Sequence, residues 1–260
     1  SNGMVTTEIL LGGHCVNLSF SSDGQTLISY TENKDTSTSS AGFLITLWRV
    51  SDGEKLATYA GGQSYSGQGT AFIVSHDMSF VVQPTDRNKV RVLDLATRKE
   101  RWSMQAAEER IMALALTQDG KTLATGAGFR EAEIRLWDTA SGEEIGRLKG
   151  HRAWVADLHF WADGKTLVSA SADQTIRLWD VSNPREGKLL RTLRGHTSEI
   201  WRIALLPDNR TLVSGAKDGS VCVWDSVKPA RKRTCTELTN IASWRFSSEG
   251  NGVLTLDRDG

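Results

Sequence analysis

Ile134-Arg135-Leu136-Trp137-Asp138, Ile176-Arg177-Leu178-Trp179-Asp180 and Val221-Cys222-Val223-Trp224-Asp225 repeat one pattern: apolar, any residue, apolar, Trp, Asp. A weaker copy is Ile45-Thr46-Leu47-Trp48-Arg49, and in Val90-Arg91-Val92-Leu93-Asp94 a leucine replaces the indole. The fourth position falls at 48, 93, 137, 179 and 224, so the gaps are 45, 44, 42 and 45 residues. A second series keeps the same phase: Asp23-Gly24, Asp77-Met78, Asp119-Gly120, Asp163-Gly164, Asp208-Asn209 and Glu249-Gly250. Self-similarity at about 40–45 residues marks a repeat architecture.

Each repeat holds short alternating apolar segments divided by turn residues, which is the pattern of strands. In the fourth, the alternation predicts strands at 155–160, 166–171, 175–179 and 188–193, with Asp163-Gly164 as a tight hairpin turn. No long segment has helical periodicity. One four-stranded sheet buries little surface alone, so neighbouring sheets must stack face to face.

Over essentially its whole length the sequence resembles the WD-repeat family, and its Asp-Gly-Lys-Thr-Leu turns look like those of bacterial members. Gly150-His151 and Gly195-His196 match the family's Gly-His start. The resemblance implies an all-β fold: a β-propeller of four-stranded antiparallel blades, five complete and a sixth incomplete, from a ring that usually has seven. It also implies a structural hydrogen-bonded tetrad in a blade. Residue by residue, the fourth repeat supplies His151, Ser169, Asp173 and Trp179, and the fifth supplies His196, Ser214, Asp218 and Trp224, at identical offsets. The other repeats depart from this. His14 sits three residues too close to Asp23 and is placed on the rim instead. The second repeat lacks both His and Trp, and the third has Glu131 six before Trp137, so these are expected to rely on packing and to be less rigid.

The whole chain, 1–260, reads as one propeller domain. Met4, after Ser1-Asn2-Gly3, reads as the native start. The segment 5–11 reads as an outer strand, and 1–12 would close the ring. The last repeat shows strands at 241–246 and 252–256 and then stops, so self-association through the incomplete blade is one expectation. A polar loop is expected at 31–42 and a Gly-rich one at 60–70.

Composition narrows the function. Lys plus Arg and Asp plus Glu number 31 each, which speaks against a dedicated nucleic-acid surface. The basic run Lys228, Arg231, Lys232, Arg233 reads as a solvated strand edge. No apolar run reaches the roughly 18 residues of a membrane-spanning helix, and no secretory signal is visible. Cys15, Cys222 and Cys235 form no paired framework and read as reduced thiols of a cytoplasmic protein. They also lack zinc spacing, so no metal is expected.

Chemical sites are equally scarce. His151, Ser169 and Asp173 have the composition of a hydrolytic triad, but the set recurs as His196, Ser214 and Asp218, and duplication suits a structural network better than two active sites. Gly61, Gly62, Gly67 and Gly69 lack the ending of a phosphate-binding loop, and Gly126 and Gly128 lack a dinucleotide fingerprint, so no cofactor is expected. The family resemblance implies a non-catalytic scaffold that binds a protein or peptide on the upper face of the propeller. A propeller hydrolase and a small-ligand sensor are the alternatives. Candidate contacts are the rim positions aligned from repeat to repeat, His14, Gln68, Arg110, Trp154, Glu199 and Asn240, with the residues before the tetrad Asp, Ala172, Lys217 and Arg258. Trp201 joins them because tryptophan is enriched at binding hot spots.

Overall fold

The computed structural model of the chain describes residues 9, 15–21, 23–32, 43–60, 72–85, 88–128, 131–206, 208, 210–226, 235–237, 241–246 and 253–257. The expected strand at 5–11 (Ile9 apart), the basic run at 228–233, and His14, Gln68, Asn240 and Arg258 lie outside these residues.

The chain divides into two compact units, 1–106 and 107–260. In the first, β1 (Cys15–Phe20), β2 (Thr26–Glu32), β3 (Phe43–Arg49) and β4 (Lys55–Ala60) make one sheet. A second holds β5 (Ile73–Val74), β6 (Phe80–Pro84), β7 (Lys89–Asp94) and β8 (Glu100–Gln105). In the second unit the third sheet is β9 (Ile111–Leu116), β10 (Thr122–Ala127), β11 (Ile134–Asp138) and β12 (Glu144–Leu148). The fourth is β13 (Val155–Phe160), β14 (Thr166–Ser171), β15 (Thr175–Asp180) and β16 (Lys188–Arg194), and the fifth is β17 (Ile200–Leu205), β18 (Thr211–Ala216), β19 (Ser220–Asp225) and β20 (Cys235–Glu237). A two-stranded sheet, β21 (Ile241–Phe246) and β22 (Val253–Asp257), follows. Every sheet is antiparallel and follows chain order. Among the described residues, no helix is long and apolar enough to cross a membrane.

Both acidic series build turns. The Asp163 carboxylate accepts the backbone N–H of Lys165 at 2.8 Å and of Thr166 at 3.0 Å, and Gly164 takes the left-handed φ of 64° that the hairpin requires. The Asp of the Trp-Asp pair serves the next turn. Asp138 accepts from the N–H of Ala140 and Ser141, and Asp180 from Ser182, so each side chain starts the connection to the outer strand.

Sheets within a unit pack through their faces. Ala113, Ala115, Ala124, Ile134 and Leu136 of the third sheet meet Val155, Leu158, Leu167 and Trp179 of the fourth. Val168, Ala170, Ile176 and Leu178 of the fourth meet Ile200, Ile203, Leu212 and Trp224 of the fifth. In the first unit, Ile28, Tyr30, Ile45 and Leu47 pack on Phe72, Val81 and Leu93. Each large apolar side chain buried this way contributes about 1.5–3 kcal/mol. Small residues set the spacing: a Cβ on Gly126 would lie 2.9 Å from Cγ1 of Val155. At the periphery, a Cβ on Gly146 of β12 would collide with the carbonyl of Pro184, which begins the 3-10 turn Pro184–Glu186 before β16.

The cysteine reading is corrected. Cys222 is buried and disulfide-bonded. The β19–β20 register sets Cys235 directly opposite it, a juxtaposition that sequence spacing alone does not reveal.

Candidate functional site

The fourth sheet carries a polar chain through its interior. Trp179 donates from Nε1 to the Ser169 hydroxyl at 2.8 Å. The Ser169 Oγ lies 2.7 Å from His151 Nε2, and His151 Nδ1 lies 2.8 Å from an Asp173 oxygen. A neutral imidazole protonated on Nδ1 satisfies every step: indole to hydroxyl, hydroxyl to Nε2, Nδ1–H to carboxylate. Burial holds the His151 pKa below its usual value, against the pull of Asp173. Burial would raise the Asp173 carboxyl, but the hydrogen bonds from His151 and Thr175 prevail and hold it well below the usual carboxylate range. The same carboxylate takes the backbone N–H of Arg152 at 3.1 Å and so fixes the loop entering β13.

The fifth sheet differs in its last step. Trp224 donates to Ser214 at 2.8 Å and Ser214 lies 2.6 Å from His196 Nε2. His196 Nδ1 then meets the Ser220 hydroxyl at 3.0 Å, and Ser220 donates to Asp218 at 2.6 Å. The mapping of Asp218 as a direct partner of His196 is therefore corrected: a hydroxyl stands between them, and Asp218 is exposed. Ser220 and Thr175 share the position two after the Asp, and Thr175 likewise bonds Asp173. That recurring hydroxyl was the signal that sequence reasoning missed.

The divergent repeats carry polar substitutes in addition to the packing expected of the second and third. In the third sheet Trp137 donates to Thr125 at 3.0 Å. Glu131 accepts the backbone N–H of Glu108 at 3.0 Å, the bond that Asp173 makes to Arg152, and its other oxygen pairs with Arg135 Nη2 at 2.7 Å. In the first sheet Trp48 donates to Ser29 at 2.9 Å. In the second, where Leu93 has no donor, the buried Gln83 amide oxygen accepts from the Arg91 guanidinium.

In the third, fourth and fifth sheets these networks underlie one edge. Gly128 donates its N–H to the Arg110 carbonyl at 2.8 Å, Ala172 to Trp154 at 3.1 Å and Lys217 to Glu199 at 2.9 Å. Arg110, Trp154 and Glu199 thus hold equivalent places in three successive sheets, each partly exposed. In the fifth sheet Glu199 gathers two more candidates: Trp201 Nε1 lies 3.4 Å from its carboxylate and Lys217 Nζ lies 3.4 Å from the same oxygen.

Nucleophilic chemistry does not fit this arrangement. Ser169 and Ser214 are fully buried, and the Oγ of each accepts an indole N–H while bonded to a histidine, so no substrate carbonyl can approach. Among the described residues, no group of His, Cys, Asp and Glu side chains could hold a metal ion.

Comparison with known proteins agrees with the repeat geometry. A family model described as WD domain, G-beta repeat matches residues 142–180 and 187–225. The chain is similar to nuclear distribution protein nudF 2 of Talaromyces marneffei, 50% identical over 70 residues, which are 27% of this chain and 14% of that protein. It is similar to nuclear distribution protein nudF of Emericella nidulans, 46% identical over 76 residues, 29% of this chain and 16% of the other. It is also similar to a WD repeat-containing protein, sll1491, of Synechocystis, 30% identical over 129 residues, 49% of this chain and 35% of the other. The chain thus spans well under half the length of these relatives. The four-stranded antiparallel sheets have the form of β-propeller blades, and residues 142–180 and 187–225 match WD repeats.

Proposed function

We propose that the chain is a non-catalytic scaffold that binds a protein or peptide along the edge formed by the loops before the first strands and the turns between the second and third. The observation that carries this reading is the equivalent placement of Arg110, Trp154 and Glu199 in three successive sheets, above buried networks that fix the loops bearing them. Fixed loops lose little ordering entropy when a partner docks. Partly exposed tryptophans supply contact area, and Glu199 orients both Trp201 and Lys217. His14, Gln68, Asn240 and Arg258 are proposed as further contacts on their alignment in the sequence alone.

Two of the similar proteins are named as nuclear distribution proteins.

Quantitative affinity capture tests the proposal. The intact chain and a Trp154→Ala/Trp201→Ala variant are compared for the proteins each retains, with folding of both checked by circular dichroism. Loss of roughly tenfold or more in retained partner supports the edge as the binding surface, since buried aromatic anchors typically carry that much. Equal retention by the folded variant refutes it.

A further inference from the structure

The position two before the motif Trp is Arg91 in the second sheet, Arg135 in the third and Arg177 in the fourth. Two of these guanidinium groups have an acceptor built into their own sheet: Gln83 for Arg91 and Glu131 for Arg135. Arg177 does not. The one carboxylate that favours its charge, Asp173, is engaged by His151, Thr175 and the Arg152 N–H. Among the described residues no carboxylate pairs with Arg177, and its Nε is buried without an acceptor. Arg135 shares the orphaned Nε, but its Nη2 is held by Glu131.

The Arg177 group is nevertheless held in place. It lies over the Trp179 ring, 5.8 Å from the centroid. A Cβ at residue 150 would overlap its Nη1, so the glycine there, at φ 151°, gives the guanidinium room in this position. The side chain is about nine-tenths buried. Two exposed arginines add to the same field: Arg152 in the loop entering β13, and Arg194 at the end of β16, opposite Thr175 in the register. Burial, Arg194 and Arg152 all disfavour the charged form of Arg177, and Asp173 alone favours it. A buried cation whose one partner is an aromatic face is costly, and an anion arriving from outside would offset that cost.

We propose that Arg177, flanked by Arg152 and Arg194, is a recognition site for a phosphate group carried by the bound peptide. Arg177 interacts with two further arginines and one carboxylate, and this excess of two positive charges is balanced better by a phosphate, at close to two negative charges, than by a single carboxylate. The site deepens the peptide-binding reading above, which it needs only for the identity of the carrier. Arg152 lies two residues from Trp154, so one peptide could meet both.

Inorganic phosphate is the first probe, titrated into the intact chain at constant ionic strength and followed by calorimetry and thermal unfolding. Saturable binding and a rise in Tm are expected for the wild-type chain. Both should be lost, or binding weakened by roughly tenfold or more, in Arg177→Gln. The Arg152→Ala/Arg194→Ala variant removes only exposed side chains and should fold normally while losing most of the binding. N-acetyl-phosphoserine amide should bind more tightly than N-acetyl-glutamate amide. Absence of saturable binding overturns the proposal, as does binding unchanged in the folded double variant or a preference for glutamate. Because free phosphate needs no peptide, this outcome is separate from the Trp154/Trp201 capture experiment.

Discussion

Asp157 of β13 accepts the backbone N–H of Ile203 in the neighbouring sheet at 2.9 Å, a bond from one strand to another 46 residues away. Its second oxygen takes the N–H of Leu158 at 3.1 Å, and His159 and Arg202 stand 3.5 and 3.8 Å from the carboxylate. Burial opposes its charge, but His159, Arg202 and the Ile203 N–H hold its pKa below the usual value. An ionised side chain therefore joins the fourth and fifth sheets where apolar packing otherwise does so. Asp157→Ala is expected to lower unfolding stability by about 1–3 kcal/mol, because it leaves a buried N–H unpaired. Denaturant unfolding checks this, and a loss below about 0.5 kcal/mol, the scale of neutral surface changes, would argue that the bond is incidental.

The two histidine networks should respond unequally to loss of their carboxylates. Asp173→Ala strands the His151 N–H and the Arg152 N–H and should cost about 1–3 kcal/mol. Asp218→Ala should cost less, because Ser220 still meets His196. Equal losses would mean that the intervening hydroxyl does not matter. Neither Ser169 nor Ser214 should react with a serine-directed covalent probe, since both are enclosed.

Acid should weaken the fourth sheet through His151. Its folded pKa lies below the unfolded value of 6.5, so the unfolded chain takes up the proton first. Stability that depends on the neutral ring is present above 6.5 and declines as pH falls below it. Urea midpoints measured from about pH 7.5 to 5.5 should fall more steeply in the wild-type chain than in His151→Asn. Parallel slopes would show that the ring is not held neutral.

The contact between β12 and the turn before β16 gives a steric test. Gly146→Val places atoms against the Pro184 carbonyl and should destabilise the chain by about 1–3 kcal/mol through overpacking. An unchanged Tm would mean that the 184–186 turn moves aside without cost.

The strands and turns were legible because the Trp-Asp and Asp-Gly series report backbone geometry directly: a carboxylate two or three residues ahead of an N–H defines a turn wherever it occurs. The His151 set was legible for the same reason, since its members recur at fixed offsets. What escaped were substitutions that conserve a bond while changing its atoms. Glu131 replaces Asp173 from a loop two residues longer, Gln83 and Arg91 replace a Ser–Trp pair, and Ser220 lengthens a path by one hydroxyl. Asp157 reads as an ordinary strand residue because its partner is a backbone N–H in the next sheet, which carries no sequence signature. The pairing of Cys222 escaped because it depends on strand register.

The central claim, that the edge bearing Trp154 and Trp201 receives the partner, is tested most directly by site-specific photocrosslinking. A photoreactive residue is placed singly at 154, at 201, and at 189, where Leu189 is exposed on the outer strand of the same unit. Each intact chain is irradiated in extract of its native cell. The account predicts a discrete protein adduct from positions 154 and 201, with none above background from 189. Adducts formed only from 189, or equally from all three positions, would contradict it.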